Sequence, residues 1–396
     1  MTTTINNEHK KLNAPNLRFP EFQGEWEKCK LSDICTFFSG GTPSSSNKDF
    51  YGGNIPFIRS GELHKDETEL YITQSGYDNS SAKMVEVGDL LLAMYGATSG
   101  DIAISKINGA INQAILCIRT KHNKKFIESV WNKHVSKILM KYLQGGQGNL
   151  SADIVKRISF SLPSLAEQER ISQLMQLIDE RIATQSKVID KLQSLIKGIN
   201  QEVFNEVGCR HKLGNICEIK SGYSGNQLIK KEGLKVSRIE TISGHRINLE
   251  RVGYVSPFKN SESYKLQVGD ILFSNINSVE YIGNTAFVDK DYDLYHGMNL
   301  LRLIPNSKVV VPFYLYLLLN TCKMLNRFKT ICNKAVSQAS INQTDLSKTI
   351  IVLPSLENQI KICNIYEVLF SKIEAEKNCL SLYNVQKQYL LRQMFI

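Results

Sequence analysis

The chain has 396 residues, 42% of them hydrophobic, and its 48 Lys and Arg outnumber its 38 Asp and Glu to give a formal net charge of +10. That length allows two domains with separate cores, and that hydrophobic content excludes a disordered chain. The basic excess suits a polyanionic partner, nucleic acid above all. The longest apolar run, Val309 to Leu319, is broken by Pro312 and is too short to cross a bilayer.

In chain order, Met1 to Lys11 is polar and lacks an apolar segment, so no secretory signal is expected. "KLSDICTFFSGG" (30–41) reads as a short strand carrying Ile34-Cys35, then a Gly/Ser turn. "VGDLLLAMYG" (87–96) reads as a turn into an apolar strand. A helix is expected from about Lys124 to Leu143, and more strand before Pro163-Ser164-Leu165. The same order then recurs. "KLGNICEIKSGY" (212–223) repeats the first block at an offset of 182, and "VGDILFSNIN" (268–277) repeats the second at 181. "FYLYLLLNT" (313–321) falls opposite "FIESVWNKH" (126–134), inside a helix expected from about Pro312 to Thr330. "SINQTDLSKTIIVLPSL" falls opposite "NLSADIVKRISFSLPSL", reaching an offset of 191 at Pro354. Matches that keep their order while the offset drifts are the mark of a duplicated unit with small insertions. The nine cysteines are scattered with no C-x-x-C, which points to reduced thiols in the cytoplasm rather than a disulfide framework or a zinc site. Cys35 and Cys217 fill equivalent strand slots and read as core residues.

After each Pro-Ser-Leu the period turns helical. Ile171, Met175, Ile178, Ile182, Gln185, Ile189, Leu192, Ile196, Ile199 and Val203 alternate in steps of four and three, the seam of a coiled coil. Adding 191 gives Ile362, Tyr366, Leu369, Ile373, Glu376, Leu380, Tyr383, Lys387, Leu390 and Met394. Both helices have a polar residue in the fifth slot, Gln185 and Glu376, and the second stripe weakens at Lys387. A helix with one apolar seam must bury it, and the other copy, antiparallel, is the expected partner.

"APNLRFPEFQGEWEKCKLSDI" resembles the opening of specificity subunits of type I restriction-modification systems, through Leu17-Arg18-Phe19-Pro20, Phe22, Gly24, Trp26 and Leu31. "SGGTPSSSNKDFYGGNIPFI", "GDLLLAMYGATSGDIAI" and "NLSADIVKRISFSLPSLAEQERI" are similar to later blocks of that family, and the likeness spans essentially the whole chain. The second half departs more: Glu357-Asn358-Gln359 stands for Ala166-Glu167-Gln168, and "SNINSVEYIG" for "AMYGATSG". The resemblance implies a non-catalytic DNA-reading subunit with no cofactor of its own. Two target-recognition domains would each read half of a split site on double-stranded DNA. The helices would separate them and recruit two methyltransferase subunits, which carry S-adenosylmethionine and methylate adenine. Restriction (helicase-nuclease) subunits would join with ATP and Mg.

Residue by residue, no catalytic site emerges. Asn54-Ile55-Pro56-Phe57 is similar to the Asn-Pro-Pro-Phe loop of amino-methyltransferases but lacks the first proline and a companion Gly-rich cofactor loop, so it reads as a strand entry after Gly52-Gly53. Glu218-Ile219-Lys220 has nuclease-like spacing, but its counterpart is Thr36-Phe37-Phe38 and Asp190 lies in the predicted helix. "GGTPSSSNK" lacks the second Gly-Lys-Ser/Thr of a phosphate loop. The seven histidines show no metal spacing.

Where framework blocks match, certain loops do not. Two heads reading different sequences should share a scaffold and differ in their reading loops. After Ser-Gly the candidate contacts are Thr42, Ser44 and Ser45 in one copy, Tyr223 and Asn226 in the other. After V-G-D-x-L they are Tyr95 and Thr98 against Ser274, Asn275 and Asn277. Before the last strand they are Gln147 and Asn149 against Lys334 and Gln338. Arg59, Arg238 and Lys334 are candidate phosphate or guanine contacts. Each loop has a plainer reading as a solvated turn that drifted after duplication.

The expected fold is α+β: two similar mixed α/β target-recognition domains separated by two long helices packed as an antiparallel coiled coil. The expected boundaries are 1–162 and 208–353 for the domains, 163–207 and 354–396 for the helices. The expected function is sequence-specific DNA recognition in the cytoplasm, without a membrane. A stand-alone DNA adenine methyltransferase is the alternative, with missing cofactor and catalytic loops against it. A scaffold without a DNA role is the third, weakened by the charge.

Overall fold

In the computed structural model, which describes residues 13–142, 149–204, 208–334 and 338–396, the chain divides into two units. The first runs to Lys187 and takes in Lys377–Ile396; the second is Val188–Glu376.

In the first unit, Glu27–Lys30 pairs antiparallel with Ser159–Leu162, Lys28 opposite Ser161. A four-stranded antiparallel sheet follows in the order Cys35–Ser39, Ile115–Thr120, Leu90–Ala93, Ile102–Ile104. The run Leu90-Leu91-Leu92-Ala93 is apolar without alternation because both faces of its strand are covered. Leu90 and Leu92 point to a core shared with Phe126, Val130 and Trp131 of the helix Lys124–Tyr142. Leu91 and Ala93 point the other way, onto Ile58, Val85 and Ile111 of a second sheet. Successive strand residues face opposite sides, so one tetrapeptide serves two cores.

The second unit repeats this plan. Cys209–Lys212 pairs with Ile350–Leu353, Arg210 opposite Val352. The strand order is Cys217–Ser221, Leu301–Pro305, Ile271–Phe273, Thr285–Phe287. Ile271 and Phe273 join the helical core with Tyr314, Leu315 and Phe328, and Leu272 joins Ile242 and Val288 on the opposite face.

Two local expectations are corrected. The single helix from Pro312 to Thr330 is two, Pro312–Leu319 and Cys322–Ile331. The Thr321 hydroxyl accepts the Met324 amide at 3.3 Å and opens a new helix, which ends the first at Asn320. Ile34 and Ile216 do not open the strands; each closes a single helical turn, and Cys35 and Cys217 begin the strand. Leu143, the expected end of the earlier helix, lies outside the described residues.

The long helices are Leu165–Val203 and Leu356–Met394, 39 residues each, about 58 Å of helix. In the first unit, the start of one lies against the end of the other. Ile171, Met175 and Ile178 share a core with Leu390, Leu391 and Met394. Lys387, the weak point of the seam, ion-pairs with Asp179 at 2.6 Å, and Asp179 also holds Lys125. In the second unit Tyr366 donates its hydroxyl to Asn200 and packs on the Phe204 ring. Gln185, Leu192, Ile199, Ile362, Leu369 and Glu376 are half-buried. Among the described residues no helix is long and apolar enough to cross a membrane.

Candidate nucleic-acid interface

The divergent loops of the first unit converge at one edge of its sheet. Gly40 and Gly41 run so close to the Ile111 carbonyl that a Cβ on Gly40 would lie 1.7 Å from it. The chain then turns out, and Thr42 donates its hydroxyl to the Gln113 side-chain oxygen. One residue on, the Ala114 carbonyl accepts the Met94 amide at 2.8 Å, and the Met94 carbonyl accepts the Leu150 amide at 3.0 Å. Four segments distant in sequence are thus laced together. Trp131 Nε1 pins the loop after Met94 by donating to the Gly100 carbonyl at 2.8 Å. Ser44, Ser45 and Asn149 are exposed at this edge, and Tyr95 and Thr98 are half-buried. Gln147 lies outside the described residues.

The second unit uses the same lacing with other residues. A Cβ on Gly222 would meet the Gly297 carbonyl at 1.8 Å. The Asn275 carbonyl accepts the Ile341 amide at 2.9 Å, as Met94 accepts Leu150. Here the segments go further and form a small sheet, Ile276–Asn277 beside Ala339–Ser340 beside Asn333–Lys334. Asn277 and Lys334 both lie opposite Ala339, with the exposed Gln338 next to it. Tyr223 is elsewhere, stacked flat on Phe258 at 3.7 Å in a cluster with Tyr264. Asn226 is exposed.

Three candidates have duties within the fold. Ser274 is fully buried and accepts from Asn277 Nδ2 at 3.1 Å, so it shapes the loop rather than facing a ligand. Arg59 is clamped between Glu62 at 2.8 Å and Glu69 at 2.9 Å. The Glu62 carboxyl is held down at about 2, chiefly by its hydrogen bond with Arg59, with burial opposing. Arg238 occupies the equivalent slot, the residue before a 3-10 turn, but there Thr241 accepts its amide at 2.9 Å and, among the described residues, the guanidinium ion-pairs with Glu240 alone at 3.4 Å. Arg238 is the less neutralised of the two. Sequence comparison missed Gln113, an exposed residue at the centre of the first cluster. Its block, "GAINQA", has no match in the other copy to draw attention to it.

The two V-G-D turns build matching supports under these edges. Asp89 accepts the Glu86 amide at 3.1 Å and Asp270 the Gln267 amide at 2.7 Å. Each also ion-pairs with an arginine of the neighbouring strand, Arg119 at 2.7 Å and Arg302 at 2.6 Å. Burial pushes both carboxyls up. At Asp89 the bonds from Arg119 and Glu86 prevail and leave it below its ordinary value; at Asp270 burial prevails.

A duplicated α/β unit, two long helices and paired loop edges now stand beside known proteins. The type I restriction modification DNA specificity domain matches twice, over residues 23–194 and 210–381. The chain belongs to this family. The specificity-subunit reading therefore holds, and the stand-alone methyltransferase falls away. The MjaX type I restriction enzyme specificity subunit of Methanocaldococcus jannaschii is 41% identical over 180 residues, 45% of this chain and 42% of that protein. The EcoBI specificity subunit of Escherichia coli is 22% identical over 93% of this chain and 85% of its own length. The chain thus spans less than half of the first relative and most of the second. In fold it is similar to the S subunit from M. genitalium, with a TM-score of 0.62 and 15% identity, covering 97% of this chain and 99% of that one.

Proposed function

We propose that each unit reads one half of a split site on double-stranded DNA through its laced loop edge. In this reading the chain is the recognition subunit of a methylating and restricting complex and performs no chemistry itself. The carrying observation is the contrast between like supports and unlike edges. The paired Leu150–Met94 and Ile341–Asn275 bonds recur, while the residues they display differ. Asn, Gln, Thr and Tyr side chains at such edges can address base edges, and exposed cations such as Lys334 the phosphates.

Residues 1–162 and 208–353 serve as the two recognition domains, and 163–207 and 354–396 as the helical spacers. Two similar units suit two copies of one partner, the modification (methyltransferase) subunits, with restriction (helicase-nuclease) subunits joining them. Those partners supply S-adenosylmethionine, ATP and Mg. The complex works on DNA in the cytoplasm.

The test is an exchange. Residues 208–353 are replaced by the equivalent segment of another family member, and methylated sites are mapped genome-wide. One half of the motif should change and the other stay. Change in both halves, or in neither, overturns the reading.

A further inference from the structure

A second feature repeats in both units, and the loop edges do not account for it. In the first unit Lys28 sits on the strand paired with Ser159–Leu162, and Arg157 ends the short helix before that strand. In the second, Arg210 holds the register position of Lys28, and Lys348 follows the short helix Gln343–Ser347. The equivalence is fixed by hydrogen bonds: the Leu31 amide to the Ile158 carbonyl at 2.8 Å, and the Leu213 amide to the Thr349 carbonyl at 2.9 Å.

The neighbouring helix adds two cations one turn apart in each unit. Lys137 and Lys141 line a groove of about 460 Å3 together with Lys28 and Arg157. Lys323 and Arg327 stand one turn apart in Cys322–Ile331, and Arg327 donates to the Ile350 carbonyl at 2.6 Å, on the strand that matches Ser159–Leu162. All eight side chains are exposed. Lys28, Lys137, Lys141 and Arg157 form no ion pair among the described residues, and neither do Arg210, Arg327 and Lys348. Behind the first groove, Lys133 is held below its ordinary value by burial and by the charge of Lys137. Elsewhere in these units cations such as Arg59, Arg119 and Arg302 are matched to carboxylates. Like charges left together without counter-charges, four in the first unit and Arg210, Arg327 and Lys348 in the second, fit a polyanion.

Position says which polyanion. The helix Lys124–Tyr142 leads toward Asn149 and Leu150 at the first loop edge, and Cys322–Ile331 leads into Asn333–Lys334 at the second. In each unit the chain therefore passes from the basic cluster to the reading edge. We infer that each basic cluster is a phosphate track, holding the sugar–phosphate backbone of the duplex that flanks the half-site read by the same unit. This rests on the DNA-reading proposal above.

The test uses the full chain assembled with its modification subunits. Variants carry Lys28→Gln, Lys137→Gln, Lys141→Gln and Arg157→Gln together, or Arg210→Gln and Lys348→Gln together. Affinity for the cognate duplex is measured over a range of salt. Each lost phosphate contact lowers the salt slope by about 0.9, so the slope should fall by about 3 to 4 units in the first variant and about 2 in the second. Half-site preference should not change, and shortening the flanking duplex should erase the difference from the parent protein. A Lys187→Gln, Lys191→Gln control should keep the parent slope. An unchanged slope in both variants overturns the track. An unchanged slope with loss of the modification subunits assigns the basic clusters to an acidic protein face and also overturns it. If the parent complex shows no half-site preference, the reading proposal fails by itself, and the slopes on nonspecific duplex still decide the track.

Discussion

Gln168 and Gln359 make the same pair of hydrogen bonds 191 residues apart. Each donates Nε2 to the carbonyl of the proline five residues earlier, Pro163 at 2.9 Å and Pro354 at 3.0 Å. Each accepts an amide at the start of its unit's helix, Asn123 at 3.2 Å and Val311 at 2.9 Å. Both are fully buried. The repeated Pro-Ser-Leu…Gln phrase therefore welds each long helix to the domain before it. It satisfies a backbone donor that a helix start leaves open.

Replacing either glutamine by leucine should be costly in its own unit only. The side chain is removed and the half-buried amide and carbonyl lose their partner, each at the lower part of a range of about 1–3 kcal/mol. Gln168→Leu should lower the stability of the first unit by roughly 2–4 kcal/mol, and Gln359→Leu the second by a similar amount. Urea unfolding followed by hydrogen exchange on peptides from each unit separates the two. Equal loss in both units from one substitution would contradict the account.

Glu167 explains the opening motif. Its carboxylate, buried, takes two bonds from Arg18 at 2.7 and 2.8 Å and one from Trp26 Nε1 at 3.3 Å. Removing one side of such a pair leaves the other without its counter-charge. Glu167→Ala should cost about 3 kcal/mol, the low end for a buried pair because Arg18 keeps some solvent. Asn358, its counterpart, is exposed, and Asn358→Ala should stay within about 0.5 kcal/mol. Melting temperatures of the two variants side by side give the answer.

What the sequence disclosed was set by what repeats. Pro-Ser-Leu…Gln and V-G-D are legible because each encodes a local turn plus one buried polar partner, and that chemistry tolerates few other residues. Asp89 and Asp270 could be paired by eye. Their arginines could not: Arg119 lies one residue after Ile118, which faces Leu90, whereas Arg302 lies one before Leu303, which faces Ile271. The same face of the sheet is reached from two registers, so no fixed spacing records it. The break at Asn320-Thr321 was hidden for another reason. Apolar residues run straight through it, and only a threonine hydroxyl turned back on Met324 marks the new helix. A difference between copies carries no information on burial: Ser274 differs from its counterpart yet is buried, whereas Gln113, exposed, lies in a block without a counterpart.

Asn277 and Lys334 should separate reading from holding. They flank Ala339 on one small sheet, yet one offers an amide and the other a charge. Lys334→Ala should weaken DNA binding evenly across sequences and lower the salt slope by about 1. Asn277→Ala should relax preference at one position of one half-site, by about 1–3 kcal/mol, with the slope unchanged. Selection from a randomised half-site library, run at two salt concentrations, measures both. The opposite assignment of effects would reverse the roles.

Acid should weaken the units in two separate windows. His296 in the second unit is buried and donates to the Leu300 carbonyl at 2.9 Å, and burial pushes its pKa down to about 4 from an ordinary 6.5. Between those values the unfolded chain binds a proton there and the folded chain does not. Stability is therefore lost as pH falls from 6.5 toward 4. Glu62 in the first unit is held at about 2 against an ordinary 4.5, first by Arg59. Its contribution is complete above 4.5 and is lost as pH falls from there toward 2. Trp26 and Trp131, the chain's two tryptophans, both lie in the first unit, so their emission reports that unit alone. Exchange in peptides spanning 290–305 reports the second. The stability difference between the parent and His296→Gln should change only across the upper window, and that between the parent and Glu62→Gln only across the lower. A single window shared by both differences would show that at least one of the two residues does not titrate as its surroundings require.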